Sequence, residues 1–199
     1  MNKERLLNAY YNKGEFNHPA RIGYMMKTIR QLSPLTEDEW RIWYLKNIHD
    51  ANYLMRLAEE MCSTIPSEYH ISVNECKDYI YDVMFRRTFQ GYDKEKSALR
   101  ILRQEVSPDV QEAPEDWDTQ YFIDFYVKGA NNRLVGIQLK PETFYHGQYQ
   151  NIVDIEGKMG AFRQKYNAST FILTYRQSSK KEIVFCDPDV IKKIKEIVL

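Results

Sequence analysis

Asp124, Gln138 and Lys140 stand out in the stretch FIDFYVKGANNRLVGIQLKP, residues 122–141. A carboxylate and an amide oxygen accept hydrogen bonds or a cation, and an ammonium donates hydrogen bonds or offsets negative charge. The three act together only if they share one surface. Side chains alternate along a strand. Phe122, Asp124 and Tyr126 then fall on one face of a strand over 121–127, and Gly136, Gln138 and Lys140 on one face of a strand over 134–140. The Gly129–Asn132 segment between them has turn chemistry. A turn centred on Asn131 sets 124 opposite 138, because both lie seven residues from it. A slip of one residue would separate them. The same pattern also suits a half-buried hairpin whose polar residues face water. Pro141 ends the second strand on either reading.

The first half of the chain reads as helical. Pro19 opens a helix that continues over Ala20–Leu32 and breaks at Ser33-Pro34. Thr36 and Glu39 form a capping box for a long helix from Glu37 to about Met61, and Ser72 and Glu75 form another for a helix to about Gln90. Gly91 is placed to end that helix. Asp93 is placed to cap the next, which runs through about Gln104. After the hairpin, Ile152, Ile155, Met159, Phe162 and Tyr166 mark a helix within 147–166. TFILTY, 170–175, reads as a central strand and EIVF, 182–185, as another. Asp187-Pro188 caps a final helix. This order is that of an α/β protein with a mixed central sheet flanked by helices, following a helical N-terminal half. The two parts divide at 86/87, and 199 residues suit one compact domain overall.

Helix 93–105 carries acids on its apolar stripe. Glu95 shares the face of Ala98, Leu99 and Leu102, and Glu105 extends it. An acid facing a core needs a partner, and a metal is one possibility. The helix dipole accounts equally well for Glu95 in the first turn, but not for Glu105.

Composition narrows the class. The chain is 43% hydrophobic and 28% charged, as in ordinary soluble domains. Lys plus Arg and Asp plus Glu balance at 28 each, so net charge does not decide for or against nucleic acid. The distribution is uneven: 104–124 holds seven acids and no base, while 158–199 holds nine bases against four acids. The acidic run reads as a solvated loop. Three scattered cysteines without a CxxC suggest reduced thiols and a cytoplasmic setting. Neither a signal peptide nor a membrane helix is expected. His49-Asp50 has no second histidine to complete a metal phosphohydrolase motif. His18, His49, His70 and His146 form no zinc pattern with the cysteines. A phosphate-binding glycine loop and a nucleophile elbow are both missing.

Asp124 followed by Gln138-Leu139-Lys140, on adjacent strands after an acid-bearing helix, resembles the PD-(D/E)xK nuclease superfamily. Ile123-Asp124 stands at Pro-Asp, and Gln138-Leu139-Lys140 at (Asp/Glu)-x-Lys. The resemblance covers roughly residues 87–186 and extends to a small type II restriction endonuclease. RTFQGYDKE, IDFYV and IQLKP together resemble a family cutting CTAG sites. It departs at Ile123 and at Gln138, where a neutral amide replaces the second acid. What it implies is a restriction-endonuclease-like fold and Mg²⁺-dependent hydrolysis of duplex DNA. Asp124, Gln138, the Leu139 carbonyl and Glu95 become the metal ligands, with Glu105 and Asp118 as alternatives to Glu95. Lys140 then handles the attacking water and the phosphate charge. Arg86, Arg87, Lys158, Arg163, Lys165 and Arg176 are candidates for holding DNA. Region 1–86, with Arg41 and Lys46, becomes a DNA clamp or the surface of a homodimer suited to a palindromic target. A repair or junction nuclease on the same core, or a non-catalytic DNA-binding module, are the alternatives.

Overall fold

A computed structural model describes residues 2–129, 132–146, 149–179 and 182–199. The chain forms two compact units, Met1–Asp93 and Lys94–Leu199.

The first unit is helical. Its elements are α1 (Lys3–Lys13), α2 (Pro19–Ile22), α3 (Met25–Leu32), α4 (Glu37–Asn47), α5 (Ala51–Thr64), α6 (Val73–Tyr81) and a π-helical segment, Asp82–Arg87. Two expected helices are each divided. Gly23, at φ 74°, separates α2 from α3, a conformation that costs glycine little. The long helix from Glu37 breaks because the Asp50 carboxylate accepts from Tyr53 N at 2.8 Å and starts α5 afresh. The His49 ring meanwhile stacks on Tyr53, with centroids 3.9 Å apart. The His-Asp pair is thus occupied structurally. The capping box at Ser72 and Glu75 is present as expected.

Trp40, Tyr44, Phe16, Ile29, Leu54, Met61 and Ile80 fill this core. The π segment widens the helix and displaces main-chain carbonyls from their usual donors. Side chains make up the difference: Trp40 Nε1 donates to Met84 O at 3.0 Å, and Thr88 Oγ1 to Val83 O at 2.9 Å. Helix α7 (Thr88–Glu105) follows directly and runs through Gly91, where a stop was expected. An interior glycine costs about 1 kcal/mol, too little to end a helix of 18 residues.

The second unit holds a five-stranded mixed sheet in the order β1 (Gln111–Glu112), β2 (Phe125–Lys128), β3 (Leu134–Pro141), β4 (Ser169–Gln177), β5 (Ile183–Phe185). Among the described residues, only β3 and β4 run parallel, with α9 (Tyr149–Tyr166) crossing between them. Helix α10 (Pro188–Val198) closes the chain's order of elements. The mixed α/β architecture anticipated above is the one observed. One sheet face buries Phe125, Val127, Val135, Ile137 and Leu173 against Leu99 and Leu102 of α7 and Ile191 and Ile194 of α10. The other buries Leu134 and Ile172 against Ile155, Met159 and Phe162 of α9.

The acidic run is not simply a loop. It holds β1 and α8 (Glu115–Tyr121), and Trp117 and Tyr121 pack on Phe162 with centroids 4.9 and 5.5 Å away. The strand expected over 121–127 therefore starts later, at Phe125. Phe122 takes the left-handed conformation after α8 (φ 56°) and turns the chain into the sheet.

Gly129 shows what close packing demands here. A Cβ at this position would lie 2.4 Å from the Ile197 carbonyl oxygen. Main chain cannot step aside as a side chain can. Gly129→Ala should destabilise the fold by about 1–3 kcal/mol, read as a lower midpoint in thermal unfolding.

Candidate active site

The hairpin pairs Phe125 with Ile137, Tyr126 with Gly136 and Val127 with Val135. This is the register that sets position 124 opposite 138; its centre, Asn131, lies outside the described residues. Asp124 sits just before β2, with its main chain fixed on both sides. Its N–H donates to Ile137 O at 2.9 Å, and its carbonyl accepts from Ala113 N at 2.8 Å.

The carboxylate is fixed as firmly. Asp124 Oδ2 accepts from Leu139 N at 2.7 Å and from Gln138 Nε2 at 2.5 Å. Gln138 is buried, and its amide N–H₂ also reaches Leu139 O at 3.3 Å. Its other amide atom, Oε1, is buried without a hydrogen-bond partner among the described residues. A buried orphan acceptor in a native site calls for a donor or a cation.

Burial drives the Asp124 carboxyl up to about 7. The Leu139 N–H pulls it back down, the charges of Asp118 and Glu95 push it up, and Lys140 lowers it. Three acids and one ammonium therefore share one local field. Glu95 and Asp118 are both half-buried. Glu105 is different: it is exposed and lines a groove of about 670 Å³ with Ile101, Val184, Phe185 and Lys192. Its place on the inward stripe of α7 is not realised, because Leu102 and Val106 take that face.

Two residues near this site escaped the sequence reading. Tyr175 pairs with Pro141 in the β3–β4 register. Burial raises its phenol, and the charges of Glu95 and Asp124 raise it further. The signal was available: TFILTY turns polar at the C-terminal end of a parallel strand, where ligands collect in open α/β sheets. Asp187 does not cap α10 with its side chain as expected. Its carboxylate instead accepts from Thr174 N at 2.8 Å and from the Thr174 hydroxyl. Thr174 pairs with Lys140 across β3 and β4.

A family model described as MjaI restriction endonuclease matches residues 4–193. The chain belongs to this restriction endonuclease family. The match includes both units and every site residue discussed above. No curated protein and no solved structure matches the chain. Family membership makes this a type II restriction endonuclease, a hydrolase acting on DNA.

The endonuclease's donor set suits a hard divalent cation. Asp124 offers anionic oxygen and Leu139 a main-chain carbonyl, while Gln138 presents its Nε2 to both, so its amide must turn over before its buried Oε1 can face the same cation. Among the described residues, no three His, Cys, Asp or Glu side chains converge as a metal-holding group. A hard cation held by few protein oxygens completes its shell with water.

The endonuclease's basic candidates differ in what they touch. Arg86 is paired with Asp82; Arg87 bonds Asp82 at 2.6 Å and Glu4 at 2.8 Å. Arg163 donates to Thr170 Oγ1 at 2.6 Å and lies 3.6 Å from Glu156. Lys165 donates to Tyr121 OH at 2.9 Å. Arg176 is exposed on β4. Lys158 lies over the Phe122 ring, 4.1 Å from its centre. Among the described residues, no helix is long and apolar enough to cross a membrane.

Proposed function

We propose that the endonuclease is a Mg²⁺-dependent enzyme of the PD-(D/E)xK type, acting in the cytoplasm and cutting duplex DNA at a palindromic site of the CTAG kind. The observation that carries this reading is the clasp on Asp124. One carboxylate is held by Leu139 N and Gln138 Nε2, beside the Lys140 charge and opposite a buried amide oxygen without a donor. A purely structural hairpin has no use for this arrangement. It pushes a carboxyl to about 7 and leaves an acceptor unpaired.

Asp124 and the Leu139 carbonyl would hold the cation, joined by Gln138 Oε1 once that amide has turned over, with Glu95, or else Asp118, supplying the negative charge that Gln138 lacks. The bound cation supplies charge stabilisation at the scissile phosphate and acidifies a water. Lys140 orients the attacking water and offsets the charge that develops on the phosphate oxygens. The main-chain bonds on either side of Asp124 keep its carboxylate in place, so little reorganisation accompanies the reaction. In this reading, residues 1–86 form the clamp and dimer surface, and 87–199 the catalytic core. Arg86 and Arg87 would exchange Asp82 and Glu4 for DNA phosphates. Arg163, Lys165 and Arg176 would add further phosphate contacts.

A digest of long, mixed-sequence duplex DNA tests the proposal. Discrete fragments with Mg²⁺, lost in EDTA and sharing CTAG at their mapped ends, are expected. Discrete cutting at another sequence would overturn the site but keep the enzyme class. Cutting that persists in EDTA would overturn the metal requirement.

A further inference from the structure

Two cations from different elements meet at one aromatic ring, two residues before Asp124. Lys158 Nζ of α9 lies 4.1 Å from the centre of Phe122, and Lys140 Nζ of β3 lies 5.9 Å from it. Phe144 holds Lys140 from a further 5.9 Å. Lys158 also donates to Thr119 O at 3.5 Å. Among the described residues, the ion pairs formed involve neither ammonium. Like charges gathered in this way repel. The negative face of a ring offsets part of that repulsion, the acids around Asp124 offset part of it on the Lys140 side, and on the exposed Lys158 side an anion from solution can offset the rest.

The backbone points to the same ring independently. Phe122 follows α8 in the left-handed conformation, at φ 56°. Glycine or asparagine is the usual occupant of that position. Phe122 is the only hydrophobic residue among the described non-glycine residues with positive φ. A bulky side chain persists in such a conformation only where its surroundings fix it. What a glycine could not supply here is the ring on which both lysines rest.

We propose that Lys140 and Lys158, gathered on Phe122, form a subsite for a backbone phosphate of the DNA duplex neighbouring the scissile one. Phe122 is its positioning residue. It orders both ammonium groups before DNA arrives, which lowers the entropy lost on binding. Lys140 is shared with the scissile group, whereas Lys158 serves the neighbouring phosphate alone. The inference rests on the nuclease reading of Asp124 and Lys140.

Phosphate contacts are independent of base sequence, so a fluorescently labelled mixed-sequence duplex suffices as probe. Its affinity is measured across a salt series without divalent cation, for wild type, Lys158→Ala, Lys158→Gln, Phe122→Leu and Phe122→Tyr. Cleavage with Mg²⁺ is measured in parallel. Both Lys158 variants should bind about five- to tenfold more weakly, with the log-log salt slope shallower by about 1. Phe122→Leu should weaken binding by about two- to fivefold, and Phe122→Tyr should restore it. The pair Phe122→Leu with Lys158→Ala should lose less than the two single losses added, since both act through the Lys158 contact, and any loss beyond Lys158→Ala alone reports what Phe122 does for Lys140. An unchanged slope in the Lys158 variants, with wild type binding and cutting normally, overturns the subsite and leaves the nuclease reading intact. Wild type that neither binds with a salt slope nor cuts overturns both. Should Phe122→Leu fail to fold, as read by circular dichroism, the exposed Lys158 still carries the test.

Discussion

Asp124→Asn is expected to abolish Mg²⁺-dependent cleavage and, at pH 8, to make the protein more stable. Both effects have one cause. Burial lifts the folded-state pKa of this carboxyl from 3.8 to about 7. The folded state therefore holds the proton more tightly than the unfolded chain does. Stability contributed by the protonated form is complete at pH below the unfolded value and is lost as pH rises from there through about 7. Each pKa unit corresponds to about 1.4 kcal/mol. Asp124 retains some solvent contact, so the loss is about 2–3 kcal/mol rather than the full product. Asparagine keeps an oxygen to accept from Leu139 N and carries no charge to desolvate. The measurement is denaturant unfolding at pH 5 and pH 8. The variant should be within about 1 kcal/mol of wild type at pH 5 and above it by about 2 kcal/mol at pH 8. Mg²⁺ should raise the wild-type midpoint at pH 8 and leave that of Asp124→Asn unmoved. A wild-type midpoint that rises steadily between pH 5 and pH 8 without metal would refute the account.

Lys140→Ala should lower the single-turnover cleavage rate about a thousandfold. The loss should appear in the rate at saturating DNA, with affinity reduced severalfold at most. This follows from where the ammonium lies. It is close enough to Asp124 to lower that carboxyl's pKa, and it lies 5.9 Å from the centres of both the Phe122 and the Phe144 rings. Lys140→Arg should recover little. A planar guanidinium does not replace a compact point charge in this setting. Rapid-quench measurements on a cleaved duplex separate the two quantities. A variant impaired only in affinity would remove Lys140 from the chemistry and make it a phosphate contact.

The parts of this fold that were legible in the sequence are those held by near neighbours. The register of β2 and β3 follows from Gly129 to Asn132 and from alternation on either side, and TFILTY shows its strand directly. The capping box of α6 is a four-residue signal. Other features rest on distant partners. The π segment relies on the Trp40 indole, 44 residues away from the carbonyl it serves. The break at Asp50 was visible as an aspartate but competed with an apolar pattern running across it. Helix α8 lay hidden in a run of acids, although Trp117 and Tyr121 are spaced to share one helical face. At the site, residue types and spacing named Asp124, Gln138 and Lys140. They did not show that Gln138 gives its amide nitrogen to Asp124 and leaves its oxygen buried, because rotamer choice is settled by packing. Nor did they show Phe122 in the left-handed region, since its conformation is fixed by the end of α8.

The parallel pairing of β3 with β4 bears on when the enzyme becomes dangerous to its maker. Lys140 stands opposite Thr174, and β4 extends to Gln177. A parallel pair cannot close until its crossover has been made. On a ribosome, all the elements of the first unit emerge before the sheet of the second. The strand that flanks Lys140 emerges only after α9. A nascent product that stops short of β4 therefore lacks the neighbour of the strand that carries Lys140, and with it the support for the centre proposed above.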